Sequence, residues 1–181
     1  MKNKHPKILW FTGISGSGKT TLSNIIFKHL KKKKFKCFKL DGDIFRGNKK
    51  YKKSFSRSSI KKNNFLIIQE IKKFINNFDF VLVSVISPLK ITREYAKKTF
   101  DKKYIEIFVD CSLKELFKRD PKGLYKLAQN NKIKNLIGYN SNIKYEKTRY
   151  KKIVVNTKIQ NIKKSKEIII KNLNKKFNVK I

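Results

Sequence analysis

Eight residues near the amino terminus, Gly13-Ile14-Ser15-Gly16-Ser17-Gly18-Lys19-Thr20, constrain this chain more than any other stretch. They fit G-x-x-x-x-G-K-[ST], the P-loop that wraps a phosphate group. Gly13, Gly16 and Gly18 lack the Cβ that would forbid the conformations turning backbone N–H groups inward. Lys19 supplies a point charge for the β- and γ-phosphates, and the Thr20 hydroxyl is a ligand for Mg²⁺. The flanks agree with this reading. Ile8-Leu9-Trp10-Phe11 is a short apolar run that reads as a buried strand. Leu22, Ile25, Ile26 and Leu30 recur at helical spacing, so a helix N-terminus faces the bound anion. The glycines do not spell G-x-G-x-x-G, which argues against a dinucleotide fold.

Strand and helix signals alternate along the rest of the chain. Strands are predicted at 35–40, 80–86, 104–109 and 153–155, and amphipathic helices at 65–75, 91–99, 113–120 and 162–177. Residues 42–59 read as a polar, lysine-rich connection, and 122–150 as mixed and polar without a long element. Five strands separated by helices imply a parallel sheet with helices on both faces, a three-layer α/β sandwich. Ligands then bind beyond the carboxyl ends of the strands. The P-loop, Asp41-Gly42-Asp43, Ser87-Pro88 and Asp110 all fall there. A chain of 181 residues without a linker or repeat predicts one domain, with its core at about 7–157.

The formal charge of +35 invites a nucleic-acid reading. Composition argues otherwise. There are 42 lysines against five arginines, and 24 isoleucines and 17 asparagines against two alanines. Phosphate binding gives no reason for Ile and Asn to rise while Ala falls, whereas drift in an A/T-rich genome explains all of these together. Most lysines are therefore expected to form a solvated surface that attracts polyanions without specificity. Cys37 and Cys111 read as buried thiols in a reducing compartment. No Cys/His cluster suggests zinc, and no segment reaches the length of a membrane span. The expectation is a soluble, cytoplasmic protein with no specific nucleic-acid partner and no membrane.

Three constellations carry chemistry. In Asp41-Gly42-Asp43-Ile44-Phe45-Arg46, Asp43 is placed as a base or an outer partner of the metal. Arg46 is placed to hold an acceptor's anionic group; the bland alternative is an Asp-Gly turn beside a surface arginine. Ser87, directly after a strand, either contacts phosphate or caps the turn that follows. Arg119-Asp120-Pro121-Lys122 sets two cations at a helix stop, as a lid closing over ATP requires; a plain basic loop is the alternative.

These residues resemble the adenylyl-sulfate kinase family of P-loop kinases. The P-loop, Leu40-Asp41-Gly42-Asp43-x-x-Arg46, Phe55-Ser56, Asn63, Ile86-Ser87-Pro88, Phe108-Val109-Asp110, Arg119-Asp120-Pro121-Lys122-Gly123-Leu124-Tyr125-Lys126, Ile133-Lys134 and Tyr145-Glu146 carry the resemblance, which is collinear over about 7–157. It implies transfer of the γ-phosphoryl of ATP to the 3′-hydroxyl of adenylyl sulfate in sulfate assimilation, with Mg²⁺ as cofactor. It places Gly13–Thr20, Arg119 and Lys122 on ATP, Thr20 on the metal, and Lys19, Asp43 and Ser87 in catalysis. Asp43, Arg46, Phe55, Asn63 and Leu136 fall in the acceptor site, and Ser87 matches the serine assigned as a phosphorylated intermediate. A basic lid is expected at about 119–150. A functional link to sulfate adenylyltransferase is implied, and the assembly is left open, a homodimer among the options. Three features depart from the family pattern, one being that the Pro-x-x-Pro-Glu expected after Tyr145-Glu146 is missing. Ile60 stands where the family has an arginine, with Arg57 nearby, and Leu136 stands where it has the second aromatic that stacks adenine. Both of these positions lie on the acceptor side, so a kinase for another small anionic acceptor and a catalytically drifted nucleotide-binding protein are the rival readings.

Overall fold

A computed structural model describes residues 6–47 and 55–181, with backbone alone at 45–47. The segment 48–54 and the side chain of Arg46 lie outside the described residues. Five strands form one sheet: β1 (Lys7–Thr12), β2 (Cys37–Asp41), β3 (Phe80–Ser84), β4 (Tyr104–Asp110) and β5 (Ile153–Asn156). Their order is β2-β3-β1-β4-β5, and every pairing is parallel. Seven α-helices complete the described chain: α1 (Lys19–Lys32), α2 (Gly42–Gly47), α3 (Arg57–Phe74), α4 (Lys90–Phe100), α5 (Leu113–Arg119), α6 (Leu124–Gln129) and α7 (Ile162–Phe177).

The central strand shows why the layers form. Ile8, Leu9, Trp10 and Phe11 are all fully buried, because alternate residues enter two different cores. Leu9 and Phe11 pack with Leu22, Ile26 and Leu30 of α1 and with Ile169 and Leu173 of α7. Ile8 and Trp10 pack with Ile67, Ile68 and Ile71 of α3 and with Ala96 and Phe100 of α4. The expected α/β sandwich with a five-stranded parallel sheet is the fold observed.

Local departures from the sequence reading have plain causes. Helix α3 starts at Arg57, well before its apolar periodicity, because the Ser56 hydroxyl caps it by accepting from the Ser59 N–H. Helices α2 and α6 occupy segments read as irregular; each has only six residues, too short to display a helical period. No helix among the described residues is long and apolar enough to cross a membrane.

Candidate active site

Parallel strands deliver their carboxyl ends to one edge of the sheet, and there the predicted residues meet. The P-loop leaves β1 and turns into α1. Gly13, at φ +148°, packs so closely on β4 that a Cβ would stand 2.3 Å from the Val109 carbonyl oxygen. Lys19 folds back over the loop, its Nζ donating to the Ile14 carbonyl at 2.8 Å. From outside, the Tyr125 hydroxyl donates to the Ser15 carbonyl at 2.8 Å. Burial, aided by Asp120 and Cys111, pushes that phenol up to about 12, so it stays a donor at neutral pH. Thr157, just past β5, sets its Oγ1 3.0 Å from the Ser17 carbonyl. Contacts from Lys19, Tyr125 and Thr157 to its carbonyls thus hold the shape of the loop.

At the start of α1 the Thr20 hydroxyl donates to Asp41 Oδ2 at 2.8 Å, while Asp41 Oδ1 accepts from the Asp43 N–H at 3.0 Å. Gly42 is required between the two aspartates, since a Cβ there would stand 2.6 Å from Val85 Cγ1. Hydroxyl and carboxylate oxygens are hard donors, suited to Mg²⁺. Among the described residues no group of three or more His, Cys, Asp or Glu gathers into a metal cage. An ion here fits the usual Mg²⁺ arrangement, in which phosphates and waters complete the shell.

The P-loop stands between two cavities. One, of about 510 Å³, is lined by Lys19, Thr20, Asp43, Phe55, Asn63, Ser87 and Lys122 together with the apolar side chains of Ile60, Ile86 and Ile137. The other, of about 850 Å³, lies across Gly16 and Gly18 and is lined by Arg119, Leu22, Thr157, Ile159 and Ile162. Lys122 reaches from the segment after α5 to form an ion pair with Asp43. Arg119 is held by Glu115 at 2.9 Å and by the Thr157 hydroxyl at 3.2 Å. Ser87 is 1% exposed, with φ +44°, and its hydroxyl donates to Asn64 Oδ1.

Ten of the predicted site residues therefore share one cleft, since Ser15, Gly16 and Gly18 of the P-loop line it as well. Arg119 belongs to the second cavity. Leu136 lines neither; it is buried with Cys111, Leu116, Tyr125 and Ala128, and the cleft wall is its neighbour Ile137. Arg57, the cation nearest Ile60 in sequence, pairs instead with Glu146 at 2.7 Å.

Comparison with known proteins decides the family. Adenylylsulphate kinases match residues 5–156 of the sequence. The chain belongs to that family. It is 36% identical over 150 residues to a probable adenylyl-sulfate kinase of Archaeoglobus fulgidus, spanning 83% of this chain and 95% of the relative. To the adenylyl-sulfate kinase of Geotalea daltonii it is 35% identical over 171 residues, spanning 93% and 83%. Among solved structures, the Mycobacterium tuberculosis APS kinase CysC in complex with AMPPNP and APS superposes with a TM-score of 0.83 at 29% identity. That match covers 92% of this chain and 97% of the other.

For this adenylyl-sulfate kinase family member, sequence reasoning missed the contacts that support the predicted residues. The Asp-Gly-Asp motif assigns Asp41 no partner, and in the structure that partner is Thr20. Asn64 sits beside the predicted Asn63 and holds Ser87. Thr157 ties the loop to Arg119. The signal for Asp41 was present, because an aspartate ending a strand beside a P-loop is a metal partner as readily as Asp43. Asn64 and Thr157 carried no such signal, since their partners lie 23 and 140 residues away in sequence.

Proposed function

We propose that this kinase binds ATP across the P-loop, with its base toward Arg119, and adenylyl sulfate in the cleft bounded by Asp43, Phe55, Asn63 and Ser87. The reaction moves the γ-phosphoryl from ATP to the 3′-hydroxyl of adenylyl sulfate and releases ADP. The observation that carries this reading is the pair of cavities meeting at the P-loop, with Gly16, Gly18, Thr21 and Pro121 lining both and the Asp43–Lys122 ion pair on the wall of the smaller one. Two nucleotides placed from opposite sides bring donor and acceptor oxygens into line, which is most of what phosphoryl transfer asks of a protein.

Asp43 accepts the proton of the 3′-hydroxyl as that oxygen bonds to phosphorus. Lys19 and the loop N–H groups spread the charge of the transferring group, and Lys122 moves from Asp43 onto phosphate as the segment at 119–150 closes as a basic lid. Thr20 and Asp41 would hold Mg²⁺, which would supply charge that neutralises the phosphates. Phe55 stacks on the acceptor's adenine, with Ile60 and Ile137 as its aliphatic floor and Leu136 packed behind. Arg46, on the strength of the sequence resemblance, takes the acceptor's anionic end. Ser87 serves as a positioning group, since its hydroxyl is buried and already engaged with Asn64.

Ile60 favours a second reading, a different small anionic acceptor, because an aliphatic side chain lines the cleft where the family pattern has a guanidinium. The test is ATP turnover by the purified chain with and without adenylyl sulfate, with the product resolved by anion-exchange chromatography. Formation of 3′-phosphoadenylyl sulfate is expected. ATP binding without that product sinks the reading and leaves the second one standing.

A further inference from the structure

Arg93, on α4, is 0% exposed and has no part in the chemistry above. A buried guanidinium is costly unless its charge is paired and its terminal donors are engaged; here the Nε makes an ion pair but no hydrogen bond. Its Nη1 donates to the Ser87 carbonyl and its Nη2 to the Glu146 carbonyl. The Nε lies 3.4 Å from Glu106 Oε2, and the guanidinium carbon lies 4.6 Å from the centroid of the Tyr145 ring. Had the arginine served only to neutralise Glu106, its terminal nitrogens would face that carboxylate. They are spent instead on two loop carbonyls at the active edge.

Those two loops are bound to each other as well. The Glu146 N–H donates to the Pro88 carbonyl at 2.9 Å, and the Lys90 N–H donates to Glu146 Oε2 at 2.6 Å. The Thr12 hydroxyl, one residue before the P-loop, donates to the Ile86 carbonyl at 2.6 Å and accepts from the Tyr145 hydroxyl at 2.7 Å. Ser87 in the middle has φ +44°, a region that non-glycine residues hold only when the surroundings over-determine it. Arg93 on its carbonyl, Asn64 on its hydroxyl and Thr12 on the preceding carbonyl are those surroundings.

We propose that Arg93 is a positioning residue for phosphoryl transfer: its fork locks the Ile86-Ser87-Pro88 loop, and with it the acceptor wall, in register with the P-loop. The inference rests on the proposed acceptor reaction. It predicts an effect on acceptor turnover separate from ATP binding, because the terminal nitrogens of Arg93 bind the Ser87 and Glu146 carbonyls rather than the P-loop.

The experiment compares wild type, Arg93→Lys and Thr12→Val as full chains, each assayed well below its thermal midpoint. Lysine keeps the charge but cannot fork to both carbonyls; valine removes only the hydroxyl beneath Ile86. Affinity for a non-hydrolysable ATP analogue is measured by calorimetry, and kcat and KM for adenylyl sulfate by product formation. Arg93→Lys is expected to hold analogue affinity within about threefold while kcat/KM for adenylyl sulfate falls about 10- to 100-fold. Thr12→Val is expected to shift the same way by about three- to tenfold. Equal losses of analogue affinity and acceptor turnover overturn the proposal in favour of a general folding role. So does wild-type kcat/KM in the folded variants. If Arg93→Lys does not fold, Thr12→Val decides alone. No transfer by wild type overturns the proposed reaction and this inference with it, whereas normal transfer by wild type and both variants overturns this inference only.

Discussion

The Thr20 hydroxyl and the Asp41 carboxylate, 21 residues apart, meet at 2.8 Å where α1 begins and β2 ends. That contact joins the phosphate loop to the Asp-Gly-Asp segment, so the two form one structural unit. Asp41→Asn keeps the size and the hydrogen-bond acceptor but removes the charge. It is expected to raise the Mg²⁺ concentration for half-maximal activity by about tenfold or more, with little change in ATP affinity when Mg²⁺ is absent. A Mg²⁺ titration of activity measures this, and an unchanged midpoint would take Asp41 out of the metal's surroundings.

Lys122 and Asp43 form an ion pair in which both side chains are about half exposed. An exposed pair of this kind contributes about 1 kcal/mol or less to stability. Its purpose is better sought in the reaction. Lys122→Met is expected to lower kcat by about 10²- to 10³-fold while leaving the urea midpoint nearly unchanged. Steady-state kinetics beside urea unfolding separates the two, and a large stability loss with modest kinetic loss would reverse the assignment.

Gly13 has no room for a side chain against the Val109 carbonyl. Gly13→Ala must push the P-loop off β4 or strain it, at a cost of about 1–3 kcal/mol. The loop N–H groups then no longer converge on one phosphate, so ATP affinity should fall together with stability. Calorimetric titration of ATP into the variant, with thermal unfolding in parallel, tests this. Wild-type affinity in the variant would mean that the loop adapts freely.

Glu146 ties the segment after Tyr145 to the start of α4 and to Arg57, and is expected to give stability a pH dependence. Burial acts to raise its pKa, but the Lys90 N–H and the Arg57 guanidinium outweigh burial and hold it below the usual 4.5. A carboxyl whose folded pKa is depressed contributes stability above its unfolded pKa and loses it as pH falls through the folded one. Stability from Glu146 is therefore full above 4.5 and declines below it. Glu146→Gln should flatten this acid limb, as read from urea midpoints between about pH 6 and pH 3. Parallel acid limbs in both proteins would show that other carboxyls carry the effect.

How much was legible depended on the kind of signal. Helix α7 was readable from its apolar spacing and has the bounds that spacing predicts. Helix α2 was not, because 42–47 is a single short helix with no room for an apolar period, begun by Asp43 folding back on Asp41. Lys19, Thr20, Asp43, Phe55, Asn63, Ser87 and Lys122 were legible because each stands in a motif or at a strand end, and they line one cleft. Leu136 shows the limit. One residue along, Ile137 takes the cleft wall, since Leu136 is drawn into the cluster around Tyr125 and Leu116. In an irregular segment no periodicity tells which of two adjacent apolar side chains turns inward.

The sequence by itself determined the class of fold and the phosphate site, because strand periodicity and the P-loop glycines are local constraints that hold wherever the chain goes. Only the tertiary structure decided what supports that site. Asp41 on Thr20, Asn64 and Arg93 on Ser87, and Thr157 on Arg119 are contacts between segments far apart in the chain. They exist because parallel strands bring their carboxyl ends to one edge, and because polar groups buried there must find partners or forfeit the energy of desolvation.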